Sequence, residues 1–179
     1  DEADALLPEV MIGLNQVMER SSFTIPELQE DVQLNATFRL IFAGNTAGFG
    51  DEDGEYDGTN KQNSASMDRF SFCHWDHPAS IDEMVIVQSK TGFPPEMKVV
   101  VAALIGAASD TRNSDAETPS ISTRSLIRWV RKLSVYKNKP MQYSFDRAIG
   151  FRYPPKVRQV LHKIMEGRIG TTEFYGAQK

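Results

Sequence analysis

Cysteine is nearly absent from this 179-residue chain, with Cys73 the sole thiol. One thiol excludes a disulfide framework and a cysteine-rich zinc module, and it suits a reducing compartment, so the cytoplasm is the expected location. Long hydrophobic runs are missing as well. The longest, Val99 to Ala108, falls far short of the ~20 residues that a membrane-spanning helix needs. The opening residues lack the basic-then-apolar pattern of a secretory signal, and the first residue is Asp rather than Met. Bases are scarce in the first third: residues 1–60 hold thirteen acids and two bases, a net of −11. Residues 61–118 carry −3, and residues 119–179, with three acids and thirteen bases, carry +10. The overall charge of −4 therefore conceals a gradient. An acidic front and a basic back point to two lobes with different partners, or to two lobes that meet across a charged ligand. A hydrophobic content of 40% is ordinary for a globular protein and too high for a disordered one.

Hydrophobic periodicity divides the chain. Leu7, Val10, Met11, Leu14, Val17 and Met18 recur at helical spacing and predict a first helix, with Asp4 as its N-cap and Pro8 in its first turn. Residues 22–28 and 32–34 read as two short strands around a Gln29-Glu30-Asp31 turn. The run Phe38 to Gly44 reads as a central buried strand ending at Asn45-Thr46. Residues 46–64, rich in Gly, Asp and Asn, form a long loop, and loops of that length are commonly functional. A short helix is expected over 64–68 and a strand over 70–75. Beyond Pro78 the pattern is helical only: 81–89, 95–108, a helix capped by Ser122 or Thr123, and a last helix stopped at Gly167. The expected division is a mixed α/β piece over 1–78 and an all-helical lobe over 79–179.

Several polar groups could carry chemistry. Adjacent acids such as Asp1-Glu2 suit nucleotide hydrolysis, one holding the water shell of Mg²⁺ and the other orienting the attacking water. Acids beside a helix start also follow from the helix dipole alone. Asn45, at the exit of the expected strand, could place a water or a phosphate oxygen, or form an Asx turn. Arg69 could pair with Asp68 or reach a neighbour's γ-phosphate as an arginine finger. Arg124 sits at a helix start, where the dipole disfavours a cation. The spacing of Cys73-His74-Trp75-Asp76-His77 fits no common zinc pattern. Asp51, Asp53 and Asp57 suggest a calcium loop, but the glycine is misplaced and Gln62 stands where Glu is needed. Arg124, Arg128 and Arg131 share a helix face that could meet DNA phosphates or a lid's nucleotide.

The segments Asp1-Glu2-Ala3-Asp4, Phe38 to Thr46, Gly54-Glu55-Tyr56-Asp57-Gly58-Thr59 and Asn63 to Phe70 together resemble the second half of a AAA+ ATPase. The branch is the MoxR-like one, nearest the CobS-type ATPase subunit of cobaltochelatase. The match is strongest over about the first 75 residues. It departs from the family pattern at Phe42-Ala43-Gly44, Glu55 and Asn60. The resemblance implies the C-terminal part of an α/β P-loop ATPase core, followed by a helical lid. Asp1 and Glu2 would close the Walker B motif, Asp1 supporting Mg²⁺ through water and Glu2 polarising the attacking water. Asn45 would be sensor 1, Arg69 the finger acting on a neighbouring subunit's ATP, and Arg124 the sensor 2 arginine of the lid. ATP and Mg²⁺ are the implied cofactors. The implied partners are further copies in a ring, a hexamer in the family, and a protein with a von Willebrand A-type domain; nucleic acid ranks behind them, and no membrane is implied.

No Gly-x-x-x-x-Gly-Lys-Ser/Thr phosphate loop occurs in the sequence, and the acidic stretch from Gly48 to Gly58 has no lysine to replace it. The expectation is therefore an N-terminally truncated ATP hydrolase that binds ATP poorly by itself. Two further readings share the residues: a nucleic-acid-associated NTPase of restriction or phage type, and a non-catalytic interaction module.

Overall fold

The computed structural model describes residues 1–19, 22–51, 58–114 and 118–176. The chain forms two compact units, Asp1–His74 and Trp75–Lys179. Among the described residues it is mostly helical, with one two-stranded sheet, an arrangement compatible with the C-terminal part of an α/β ATPase core. No described helix is long and apolar enough to cross a membrane.

The first unit opens with a 3₁₀ turn, Ala3–Ala5, followed by α1 (Pro8–Gly13) and α2 (Asn15–Glu19). The expected single helix is thus broken at Gly13-Leu14, where glycine contributes least to helix propagation. Pro8 sits at the first helical position, which needs no N–H donor. Asp4 is not the N-cap; Leu7 is, with no side-chain bond. Strands β1 (Ser22–Ile25) and β2 (Glu30–Gln33) pair antiparallel, Phe23 opposite Val32 and Thr24 opposite Asp31. The Thr24 hydroxyl donates to Asp31 across the pair at 2.6 Å. Pro26 starts the turn earlier than expected, because its fixed φ suits a turn position and it cannot serve a ladder.

The expected central strand over 38–44 is not formed among the described residues, and Ile41 is 87% exposed. A strand exists only where a neighbour accepts its N–H groups, and β1 pairs with β2 alone. Residues 70–75 also lack strand pairing, although Phe70 makes edge-on contact with Phe42 at 4.9 Å. Helix α3 (Ser64–Met67) is capped by Asn63, whose side chain accepts from the Ala65 N–H.

The second unit is built from α4 (Ser80–Thr91), α5 (Lys98–Arg112), α6 (Thr123–Val135), α7 (Met141–Ala148), α8 (Pro155–Ile169) and α9 (Thr171–Tyr175). Its core is one apolar cluster in which Leu104, Trp129, Phe145, Leu161 and Phe174 are fully buried. The Trp129 indole N–H donates to the Ser144 hydroxyl at 3.0 Å, so the largest core ring keeps its polar atom satisfied. The other tryptophan, Trp75, is 89% exposed. Helix α8 runs through Gly167 and stops at Gly170, whose φ of 96° a side chain would resist.

One buried ionic knot joins three helices of this unit. Arg112 on α5 grips Glu83 on α4 at 2.7 and 3.0 Å, and the Thr123 hydroxyl at the start of α6 donates to Glu83 at 2.6 Å. Arg112 also donates to the Ile121 carbonyl at 2.8 Å.

Candidate functional site

The described geometry of the first unit centres on Asp4. Its Oδ2 accepts from the backbone N–H groups of Asn45 at 2.6 Å and Thr46 at 2.9 Å, and from the Thr46 hydroxyl at 3.1 Å. One residue earlier, the Ala3 N–H donates to the Ala43 carbonyl at 2.8 Å. These bonds stitch the segment carrying Asp1 and Glu2 to the segment carrying Asn45. A third segment joins through the Asn60 N–H, which donates to the Asp4 carbonyl at 2.7 Å. The Asn60 and Gln62 side-chain amides close the knot on the Ala5 and Leu6 carbonyls.

Asp4 is 3% exposed. Burial pushes its carboxyl upward, but the hydrogen bonds from Thr46 and Asn45 outweigh burial and hold it below the ordinary range. Gly44 is required by the same contact, since a Cβ there would lie 2.9 Å from the Asp4 carboxyl carbon.

Glu2 adopts a left-handed backbone, φ 56°, which few residues other than glycine take up. The Asp1 carboxylate accepts from the Glu2 N–H at 3.1 Å, and both side chains reach solvent. Asn45 is also exposed, its backbone fixed by Asp4 and its amide unengaged among the described residues. Arg69 does not pair with Asp68. Its Nε and Nη2 bond one oxygen of Glu19 on α2, at 2.7 and 2.6 Å, and Nη1 donates to the Ala65 carbonyl. Arg124 belongs to the second unit, exposed in the first turn of α6. That start is fixed by Ser122, which accepts from the Ser125 N–H, and by the Thr123–Glu83 bond.

The other sequence candidates add little. Among the described residues no three His, Cys, Asp or Glu side chains gather to hold a metal ion. Asp53, Asp57 and the Gly54–Asp57 stretch lie outside the described residues. On the basic face of α6, Arg131 donates to the Lys90 carbonyl at 2.8 Å. Sequence reasoning missed Asp4 as a site residue because an acid near a helix start is explained equally well as a cap. The signal available was its spacing, two residues after Glu2 on a chain that returns at Asn45.

No family model matches the chain. The chain is 30% identical over 146 residues, 76% of its length, to the aerobic cobaltochelatase subunit CobS of a Sinorhizobium species. This similarity supports a CobS-like relation at the level of family. The chain spans 43% of the length of that curated relative.

Proposed function

We propose that this sequence is the sensor and lid part of a CobS/MoxR-like AAA+ ATPase, which couples ATP hydrolysis in a ring to the remodelling of a partner. The observation that carries the reading is the stitch at Asp4, which registers the acidic pair with Asn45. Two exposed carboxylates and an exposed amide on segments joined in this way suit the activation of a water at a terminal phosphate. In this reading Glu2 polarises that water, Asn45 helps to hold it in line, and Arg124 contacts phosphates from the lid. Arg69 exchanges Glu19 for the γ-phosphate bound by a neighbouring copy.

The donor set also fits Mg²⁺. Mg²⁺ prefers oxygen ligands and keeps most of its waters, so one exposed carboxylate, Asp1, is a suitable outer partner where an all-protein cage is absent among the described residues. When bound, the ion would neutralise charge on the phosphates. The similarity to a cobaltochelatase subunit makes a metal-inserting partner, with a von Willebrand A-type domain, the first client to test.

Turnover requires a phosphate loop, which these 179 residues do not contain, so the proposal concerns the protein in which such a loop accompanies this sequence. Steady-state ATP hydrolysis by that protein is the test. Glu2→Gln should abolish turnover while ATP binding persists, and Arg69→Ala should lower turnover by about 10³. Undiminished turnover in Glu2→Gln would overturn the assignment of the acids.

A further inference from the structure

The basic end of the chain arranges its cations in an unusual way. In the second unit Arg112 and Arg168 are each matched to a carboxylate, Glu83 and Asp110, through paired hydrogen bonds. Four other cations are matched to rings instead. The Arg147 guanidinium lies 3.4 Å above the centre of Tyr143, with Tyr136 at 6.0 Å and Phe151 at 5.8 Å. Arg158 stands 5.2 Å over the other end of the series, at Phe151. Lys132 is 5.9 Å from Tyr136, and Lys139 is 5.9 Å from Tyr143. The two tyrosines meet edge to face at 5.1 Å. Three rings and four cations therefore form one unbroken series of contacts from the end of α6, along α7, to the start of α8.

None of the four cations pairs with a carboxylate among the described residues. The one acid of α7, Asp146, is bonded to His162 at 2.7 Å. Gathering four like charges costs stability, and the exposed ring contacts offset it only in part. Phe151 is 60% exposed, so apolar ring surface faces solvent beside the charges. Next to Tyr136 and Lys139 opens a groove of about 810 Å³, with Met97, Val100, Leu133 and Met141 along it.

A ligand that satisfies both features must offer spaced negative charges together with flat apolar faces. Single-stranded nucleic acid does so, with phosphates for the unpaired cations and bases to stack on rings and on guanidinium planes. A duplex keeps its bases stacked inside, and an acidic peptide has no faces to stack. We propose that the Lys132–Tyr136–Tyr143–Arg147–Phe151–Arg158 series, with Lys139, is a binding surface for single-stranded nucleic acid. This surface is separate from the Arg124, Arg128 and Arg131 positions that the sequence singles out, and it does not rest on the ATPase reading.

The test uses the 179-residue chain and a fluorescently labelled 20-nucleotide oligothymidylate, followed by anisotropy from 50 to 200 mM salt. Binding should weaken with salt with a logarithmic slope of about −0.7 for each phosphate neutralised. Phe151→Ala should weaken binding about tenfold at every salt concentration, as loss of a stacking ring does. Lys139→Gln should make the slope shallower by about 0.7. No binding at 50 mM salt would overturn the proposal, and so would equal affinity for Phe151→Ala. Equal competition by a duplex or by polyglutamate at matched charge would also overturn it, and would make this surface a contact for polyanions in general.

Discussion

At Asp4, one oxygen accepts two backbone N–H groups and a hydroxyl, while the other oxygen is buried without a partner among the described residues. Such a group stabilises the fold through its charged form, and the sign of the pH effect follows. Its folded-state value lies below the unfolded value near 3.8, so the unfolded chain binds the proton more readily. The contribution is complete above the unfolded value and is lost as pH falls through the folded one. Hydrogen bonds to a charged acceptor are worth about 1.5–3 kcal/mol. The urea midpoint for unfolding of the first unit, followed by the amide signals of Asn45 and Thr46, should therefore fall as pH drops from 5 to 2. Asp4→Asn should start less stable and give a flatter profile. At Arg69 the balance is different. Its bond to Glu19 joins two partly exposed groups, and such pairs contribute 0 to about 1 kcal/mol. A guanidinium held that weakly can leave for another anion at small cost.

Among the elements, legibility follows how far each one depends on its own residues. Helix α6 is readable because Leu126, Trp129 and Val130 fall on one face and Ser122 supplies the cap. The β1–β2 hairpin is readable for the same reason, since its pairing partner lies within a dozen residues. Residues 38–44 carry a strand's composition without a strand's hydrogen bonds, because composition cannot supply the neighbouring N–H and C=O groups. Helix α7 escaped notice because its eight residues are too few for a period to declare itself, and Pro140 before it reads as a breaker. The Glu83–Arg112–Thr123 knot is also invisible locally, since its members lie 29 and 40 residues apart. It sets an expectation at this scale. Breaking a buried ion pair by removing one partner costs about 3–5 kcal/mol. Glu83→Ala should therefore lower the thermal midpoint of the second unit strongly, read by near-ultraviolet circular dichroism of Trp129, whereas Asp110→Ala on the exposed Arg168 pair should change it little.

For the whole molecule, charge divides along the chain in a way the sequence already reports, whereas the position of each catalytic candidate does not follow from it. The acids and Asn45 are registered by a carboxylate that looks like a cap, and the basic end distributes its cations between carboxylates and rings according to helix geometry alone. These 179 residues contain no phosphate loop, and in the proposed reading their groups would meet a nucleotide only from its γ-phosphate side. Isothermal titration of this chain with Mg²⁺-ATP should accordingly reveal no micromolar site, and a micromolar one would overturn the proposed division of labour. The two tryptophans add a property of a different kind. Trp129 is sealed in the core of the second unit and Trp75 is 89% exposed. Their emission is therefore separable: acrylamide should dim a red-shifted component at once and reach the blue one only when the helical core opens, which makes the molecule its own reporter of unfolding.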